Sequence, residues 1–287
     1  MKNISFLLLI SILFAACSSN KKQPVIDSVL THSSIDAQTA EIIKRFGPFV
    51  QGVWVASGYI DTLSRTRSPI QSDKELGGVA AFAISLPDSK SDSIHVGYSL
   101  GNHEGANFVL YFKTGQRPNS LKTNLTDWDG KGGFFELGYV VTHNDTALVI
   151  YHYNKTAIKL DSTKYTKVAD KPADENDAAW GIQYITNKKL ITGEYLMSDS
   201  TGSTRKATFN DHGKVTGFPG FENYYVNTDF SVEPGTNPDE LIFDLYSRHQ
   251  KLYAFKFNAD TLNLFETKDK DDSVLIGKLK YKLVRQK

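Results

Sequence analysis

Residues 107–112 read NFVLYF, in which Phe108, Leu110 and Phe112 recur at every second position. Residues 252–257 read LYAFKF and repeat the same period. Side chains two positions apart lie on the same face of a β-strand. β-Branched and aromatic residues, which are enriched in strands, dominate both stretches. The two stretches therefore predict strands with one face turned towards a core.

The rest of the chain continues in short apolar runs divided by turn signals. Residues 147–153 form a near-continuous apolar run that is typical of a buried strand. Pairs such as Asp129-Gly130, Asn144-Asp145 and His212-Gly213 mark turns between the runs. Many short strands at regular spacing favour an antiparallel sandwich or barrel.

One helix is predicted near the start of the chain. Residues 35–46 place Ile35, Ile42 and Phe46 near one stripe of a helix, and Ser33-Ser34 could cap it. Gly47-Pro48 is the predicted stop signal.

The first 17 residues indicate an export signal. Lys2 precedes an apolar run at residues 4–14, and Ala15-Ala16 provide the small residues found next to a cleavage site. The run is shorter than the roughly 20 residues that a membrane-spanning helix needs. The ending at Cys17 resembles the lipobox of bacterial lipoproteins of the Bacteroidetes type, which implies that Cys17 carries a lipid anchor in the membrane. The alternative is an ordinary signal peptide with an incidental cysteine.

Charge and cysteine content narrow the range of partners. The chain has 33 basic and 32 acidic side chains, well interspersed, so nothing indicates binding to nucleic acid. Cys17 is the only cysteine, so no disulfide is expected within the chain. Lipoproteins of this type that face the medium often carry acidic residues just after the cysteine. Their absence here favours the periplasmic face of the outer membrane.

A second resemblance concerns the fold. Gly52-Val53-Trp54, after a short helix, resembles the Gly-x-Trp opening of the lipocalin-like (calycin) barrels. The resemblance implies an up-and-down barrel that Trp54 plugs at one end. Trp180 is followed by Gly181 and opens the second half with a departure from this pattern. In the lipocalin-like barrels an arginine usually packs on the tryptophan of the first strand. By its position in the sequence, Arg285 is the candidate for this arginine.

These patterns lead to an all-β prediction. The fold is an antiparallel up-and-down meander with a short N-terminal helix, arranged as two tandem lipocalin-like barrels or as one large barrel or sandwich. A weak internal repeat favours duplication, although any two meanders share similar strand patterns. The predicted segments are a signal peptide (1–16), a lipidated tether (17–33), a first β domain (34–170), a linker (171–178) and a second β domain (179–287).

A barrel of about eight strands can hold one small ligand, and several residues are candidates for binding it. In the lipocalin-like barrels the loop after the first strand often covers the cavity, which draws attention to the arginines of the predicted loop at residues 61–73. The alternative for that loop is a solvated turn, and the alternative for any single ring is core packing. The candidate ligand-binding residues are Trp54, Tyr59, Arg65, Arg67, Tyr111 and Tyr151.

Motifs for catalysis or cofactors are missing from the sequence. There is no phosphate-binding loop, no Gly-x-Ser-x-Gly elbow and no zinc spacing, so no cofactor or metal is expected. Asp127 and Asp129, beside Trp128, are the first suspects for a glycan hydrolase, or they form a simple Asx turn. His143 and His152 could approach each other across a hairpin, or they are solvated.

Three functions remain open. The first is a non-enzymatic module that binds a small, partly apolar ligand in a barrel cavity. The second is a structural or accessory lipoprotein that docks on another envelope protein. The third, an envelope hydrolase, has the weakest support in the sequence.

Overall fold

The structure is a computed structural model that describes residues 36–86, 91–102, 104–127, 129–142, 145–230, 237–270 and 273–286. Strands account for 51% of it, which confirms the all-β prediction. The predicted signal, Cys17 and the tether lie outside the described residues. No helix in the described ranges is both long and apolar enough to cross a bilayer.

The predicted N-terminal helix exists as α1, Ala37–Val50. Asp36 caps it, because its carboxylate accepts a hydrogen bond of 2.7 Å from the Thr39 backbone N–H. The helix continues past the predicted stop and contains Pro48. Phe46 and Val50 are fully buried on its inner face, and this packing stabilises the last turn despite the hydrogen bond that proline removes.

The first eight strands form a closed antiparallel barrel in simple up-and-down order, with β1 paired to β8. Its core is built from alternating positions, as the period of two predicts. The strands are β1 Gly52–Ala56, β2 Val79–Ile84, β3 Ser93–Leu100, β4 Glu104–Thr114, β5 Ser120–Thr126, β6 Phe134–Thr142, β7 Asp145–Tyr153 and β8 Lys159–Ala169.

The predicted loop at residues 61–73 is helical, which corrects the sequence analysis. It forms most of α2, Ser57–Thr66, and α3, Pro69–Ser72, followed by a 3-10 turn at Asp73–Leu76. Tyr59 and Leu63 are buried one helical turn apart, and this spacing supports the helix. Ser68 caps α3 and Pro69 occupies its first turn, where a missing N–H costs nothing.

The second half begins with α4, Trp180–Thr186, and a π-helical turn at Asn187–Ile191. Eight more strands form an antiparallel sheet in the order β11-β10-β9-β16-β15-β14-β13-β12. They are β9 Gly193–Asp199, β10 Thr204–Phe209, β11 Val215–Thr216, β12 Tyr224–Val226, β13 Glu240–Phe243, β14 Lys251–Asn258, β15 Thr261–Lys270 and β16 Ser273–Arg285.

Backbone hydrogen bonds link each outer strand of this sheet to the residues just before the other outer strand. The Val215 N–H donates to the Glu222 carbonyl at 2.9 Å, and the Tyr224 N–H donates to the Gly213 carbonyl at 2.7 Å. Both halves are therefore eight-stranded up-and-down meanders, each preceded by a helix. Trp180, the predicted counterpart of Trp54, begins α4 and lies in no strand.

The two meanders share one core and belong to one compact unit. α4 packs against β1, where Gly181 lets the backbones approach closely: a Cβ there would lie 2.8 Å from Val53 Cγ1. The hydroxyls of Tyr59 and Thr186 are 2.7 Å apart. The Ile70 N–H donates to the Asp239 carboxylate at 3.0 Å. These contacts connect the first half to the second half.

Candidate ligand cavity at one end of the barrel

A cavity of about 410 Å³ opens at one end of the barrel. This is the end at which β2, β6 and β8 begin and β3, β5 and β7 finish. The cavity lies between strands that are far apart in the chain, so only barrel closure brings its walls together. Its lining includes Val79, Tyr98, Leu100, Asn124, Leu125, Asp127, Phe135, Ile150, Thr163 and Tyr165.

The period of two decides which side chains reach the cavity. On β7, Leu148 and Ile150 belong to the main core, whereas Val149, Tyr151 and Tyr153 form a separate cluster on the outer face. Ile150 lies opposite Thr163 in the register of β7 and β8. Thr163 therefore shares the inner face with Ile150.

The other end of the barrel is filled by side chains. Phe46 of α1 packs edge-on against Tyr139, with ring centroids 5.3 Å apart. Trp54 is 1% exposed, and its indole Nε1 donates to the Val50 carbonyl at 2.8 Å. The barrel is thus packed at the α1 end and hollow at the opposite end.

His152 lies between two carboxylates at the rim of the cavity. Its Nδ1 is 3.1 Å from Asp161 Oδ2, and its Nε2 is 2.7 Å from Asp127 Oδ1. The Asp161 contact has the alignment of a hydrogen bond, whereas the Asp127 contact is short but poorly aligned, so we describe it as an ion pair. The imidazole also stacks on Phe135, with centroids 4.4 Å apart.

Burial disfavours the imidazolium, but the hydrogen bond and charge of Asp161, together with the charge of Asp127, outweigh it. The pKa of His152 is therefore raised above its usual value. With both nitrogens facing carboxylates, neither is free to act as a general base or as a metal ligand. The arrangement positions Asp127, whose side chain is only 17% exposed, as a fixed acceptor on the cavity wall.

Further polar groups lie around the same cavity. Asn124 accepts a hydrogen bond of 2.7 Å from the Val109 N–H through its amide oxygen, which leaves its NH₂ without a protein acceptor in the described ranges. Tyr165 donates its hydroxyl to the Val79 carbonyl at 2.7 Å. Burial raises the pKa values of Tyr98 and Tyr165, so both phenols stay neutral. The rim combines hydrogen-bonding groups with apolar walls.

None of the six residues predicted to bind a ligand is among the residues that line the barrel cavity. Trp54 is at the packed end, and Tyr59 is buried between α2 and α4. Tyr151 is on the outer face of the barrel, where the Arg117 guanidinium lies 4.7 Å from its ring centroid. Tyr111 is half-buried and alternates with the core residues of β4.

The two predicted arginines lie at the end of α2, away from the cavity. Arg65 is exposed, with a long hydrogen bond of 3.5 Å to Thr62. Arg67 reaches the second sheet, where it donates to the Ala259 carbonyl and lies over the Phe257 ring. The helices of residues 57–76 hold these side chains against the second half.

The two predicted aspartates diverge. Asp129 pairs with Lys131 at 2.7 Å, and this hydrogen bond lowers the pKa of Asp129. A carboxyl with a lowered pKa is poorly suited to act as a general acid at neutral pH. Asp127 lines the cavity and contacts His152.

Sequence reasoning missed His152 and Asp161 as partners. They lie opposite each other on β7 and β8, nine residues apart in the chain, which is a normal hairpin spacing. The polar stretch at residues 161–164 hid the middle of β8, because it lacks an apolar alternation. The spacing of His152 and Asp161 is the signal that could have identified the pair.

A second depression, of about 850 Å³, lies on the second half and is lined by Phe221, Tyr246 and His249 among others. Its walls are turns, and Tyr246 is 94% exposed. It is wider and more open than the barrel cavity and would bury less of a ligand. We therefore take the barrel cavity as the candidate site.

In the part of the chain that the structure describes, no three His, Cys, Asp or Glu side chains converge as a metal site would require. Comparisons with protein-family models, with curated proteins and with solved structures found no match.

Proposed function

We propose that this protein binds a small, partly apolar ligand in the open end of its first barrel, without catalysing a reaction. The observation that carries the proposal is the cavity of about 410 Å³. Ligand sites in proteins typically measure about 300–1,000 Å³ and combine apolar walls with a few fixed polar groups.

The lining indicates the chemistry of the ligand. Leu100, Phe135 and Ile150 offer an apolar surface, whereas Asp127 and Asn124 offer one acceptor and one donor at the rim. A ligand with an apolar body and a hydroxyl or amide group would satisfy both parts. The closed end of the barrel would limit its length.

The contacts at the rim support binding over catalysis. His152 has a carboxylate at each nitrogen, and the Tyr165 hydroxyl donates to a carbonyl. The imidazole and the phenol are therefore engaged, and either would have to leave its present partner before it could accept a proton from a ligand.

The proposal extends to the cell envelope. The lipobox-like ending at Cys17 supports a lipid anchor, and the barrel with its Gly52-Val53-Trp54 opening supports a lipocalin-like module. The tethered module would lie at the periplasmic face of the outer membrane. Palmitate labelling in cells tests the anchor: label on the wild type and none on Cys17→Ser is expected, and label that persists on Cys17→Ser would contradict it.

The cavity itself is tested with a neutral apolar dye, N-phenyl-1-naphthylamine, whose fluorescence rises in apolar sites. Thr163→Trp would fill the inner face opposite Ile150 and is expected to weaken dye binding at least about tenfold. Lys164→Trp adds the same ring to the next residue of β8, opposite Val149 on the outer face, and serves as the matched control. Equal dye binding by both variants would refute the cavity as the binding site.

Native mass spectrometry of protein purified from its own membrane provides an independent test. A small molecule bound to the wild type and absent from Thr163→Trp is expected. Wild-type protein that carries nothing would count against a resident ligand.

A docking role is the second candidate, because apolar side chains are exposed on β16. Leu275, Ile276 and Leu279 are each more than 40% exposed. A group of exposed apolar side chains is consistent with contact to another envelope protein. Cross-linking in cells through the cysteine of a Lys278→Cys variant tests this role. The absence of any cross-linked product would reject it.

A further inference from the structure

A small cleft of about 40 Å³ between α2 and the second sheet collects positive charge. Arg67, Lys189 and Arg285 line it, with Asp260 as the single acidic side chain among the lining residues. Among the described residues, none of the three cations has a carboxylate oxygen within ion-pair distance. Three cations therefore meet one another across the cleft without full compensation.

Arg285 is held rigidly on one side. Its Nη2 donates to the Leu190 carbonyl at 2.6 Å and to the Tyr195 hydroxyl at 2.7 Å. Its guanidinium also lies 5.3 Å from the centroid of the Tyr195 ring. The other terminal nitrogen, Nη1, has no protein acceptor in the described ranges.

Arg67 is held on the opposite side. It ends α2 in the left-handed conformation, with φ of 54°. Its Nη1 donates to the Ala259 carbonyl, and its guanidinium lies 5.4 Å from the Phe257 ring centroid. Nε and Nη2 have no acceptor in the described part of the protein, so they remain available to a ligand.

The charges of both guanidinium groups of the cleft reach Tyr195. Burial raises the pKa of Tyr195, and the charges of Arg285 and Arg67 both oppose that rise. Two like charges that reach one phenol also repel each other. A bound anion would remove this repulsion and accept the unused N–H groups in charge-assisted hydrogen bonds.

We propose that this cleft binds a phosphate-type oxyanion, bridging the end of α2 and the last strand of the protein. A planar guanidinium with two free N–H groups matches the spacing of two phosphate oxygens. A volume of about 40 Å³ holds roughly three water molecules at about 10–15 Å³ each, which suits one phosphate group. The cleft is separate from the barrel cavity, so either site can exist without the other.

The first test measures Tm in sodium phosphate and in sodium chloride of equal ionic strength. At about ten times its Kd, phosphate is expected to raise the wild-type Tm by about 3 °C more than chloride does. An equal rise in both salts would overturn the proposal, because it would reflect screening alone.

Matched variants locate the site. Arg67→Gln and Lys189→Gln are expected to weaken phosphate binding at least about tenfold, measured by titration calorimetry below Tm. Arg65→Gln and Lys188→Gln remove the same charges from neighbouring positions outside the cleft and are expected to leave the Kd unchanged. Equal weakening by both sets would overturn the site.

Asp260→Asn provides a change of opposite sign. Its side chain is the acidic group of the cleft, and its carbonyl, which accepts from the Arg285 N–H at 3.0 Å, is kept in the variant. Phosphate binding is expected to tighten about threefold. A gain in affinity cannot be caused by a loss of folding. Weaker phosphate binding by Asp260→Asn would contradict the proposal.

An experiment with lipid vesicles distinguishes a lipid headgroup from a soluble phosphate as the source of the anion. Co-sedimentation with vesicles of phosphatidylcholine and phosphatidylglycerol in equal parts, lost in Arg67→Gln but kept in Arg65→Gln, would assign the site to a lipid headgroup. Equal co-sedimentation by all three proteins, with phosphate binding still sensitive to Arg67, would assign it to a soluble phosphate.

Discussion

Tyr195 holds the same position in the second meander that Trp54 holds in the first. Each follows two residues after a glycine in the first strand of its half, Gly52 and Gly193, and both glycines have positive φ. The Trp54 Nε1 donates to the carbonyl four residues earlier at 2.8 Å, and the Tyr195 hydroxyl does the same at 2.7 Å. The two rings tie the first strand of each half to the helix before it.

The residue opposite each ring on the neighbouring strand is a cation in both halves. Lys167 of β8 lies opposite Trp54 in the register, and Arg285 of β16 lies opposite Tyr195. Arg285 was the sequence candidate for packing on Trp54, but it packs on Tyr195. The Gly-x-aromatic opening of the second half is therefore Gly193-Glu194-Tyr195.

Removing the two ring donors should destabilise the protein. Trp54→Phe loses a buried hydrogen bond and leaves a void, so we expect the free energy of unfolding to fall by about 2–4 kcal/mol. Tyr195→Phe removes the hydroxyl that donates to the Ile191 carbonyl and accepts from Arg285, which keeps only its bond to the Leu190 carbonyl, and should cost about 1–3 kcal/mol. Urea unfolding measures both, with the exposed Tyr246→Phe as control. A Tyr195→Phe protein as stable as the control would contradict this interpretation.

Gly181→Ala tests the close packing of α4 on β1. Alanine in a helix is favoured over glycine by about 1 kcal/mol. Here its Cβ would lie 2.8 Å from Val53 Cγ1 and 3.0 Å from Val55 Cγ2, so we expect a net loss of about 1–3 kcal/mol. Gly77→Ala, whose Cβ would meet only one atom, at 3.8 Å, should be neutral in the same denaturation experiment. A stabilised Gly181→Ala would show that the interface can relax.

The contribution of His152 should depend on pH. Its folded-state pKa is raised, so its stabilisation is complete below the unfolded value of about 6.5 and is lost as pH rises through the folded value. The stability difference between wild type and His152→Gln should therefore be larger near pH 6 than near pH 9. Thermal unfolding across this range measures it, with the exposed His249→Gln as the control for losing a histidine. A difference that grows with pH would have the wrong sign.

Glu136 should matter for stability although it lies outside the cavity. Its side chain is 1% exposed, and its carboxylate accepts from the Gln116 N–H at 2.8 Å and from the Ser120 hydroxyl at 2.7 Å. Glu136→Ala takes the acceptor from the Gln116 N–H and leaves the Ser120 hydroxyl only its longer bond, of 3.1 Å, to the Arg117 carbonyl, and we expect a loss of about 2–4 kcal/mol. Glu136→Gln keeps one acceptor oxygen and should lose less. Equal losses in chemical denaturation would show that volume, and not hydrogen bonding, is the cause.

The strands were predictable where apolar residues alternate, as in β4 and β14, and α1 was predictable from its stripe. α2 and α3 were not, because only a few apolar side chains among many polar ones mark them as helical. The polar middle of β8, residues 161–164, was hidden in the same way. Its residues face solvent and the cavity, so they show no alternation of apolar and polar side chains.

The candidate site was mostly beyond prediction. Asp127 was singled out for its neighbours in the chain, but its contact with His152 depends on where β5 ends relative to β7. Arg67 was singled out as a candidate ligand-binding residue, and the structure places it in one cleft with Arg285, which is 218 positions further along the sequence.

Residue pattern alone was enough to establish an antiparallel β protein with a helix before its first strand, because a period of two is a local property of extended chains. Folding added the closure of the barrel, the hollow end beside His152 and the meeting of Arg67 with Arg285. These features depend on register and on packing between distant segments, which the free energy of the whole core selects and which no short stretch of residues encodes.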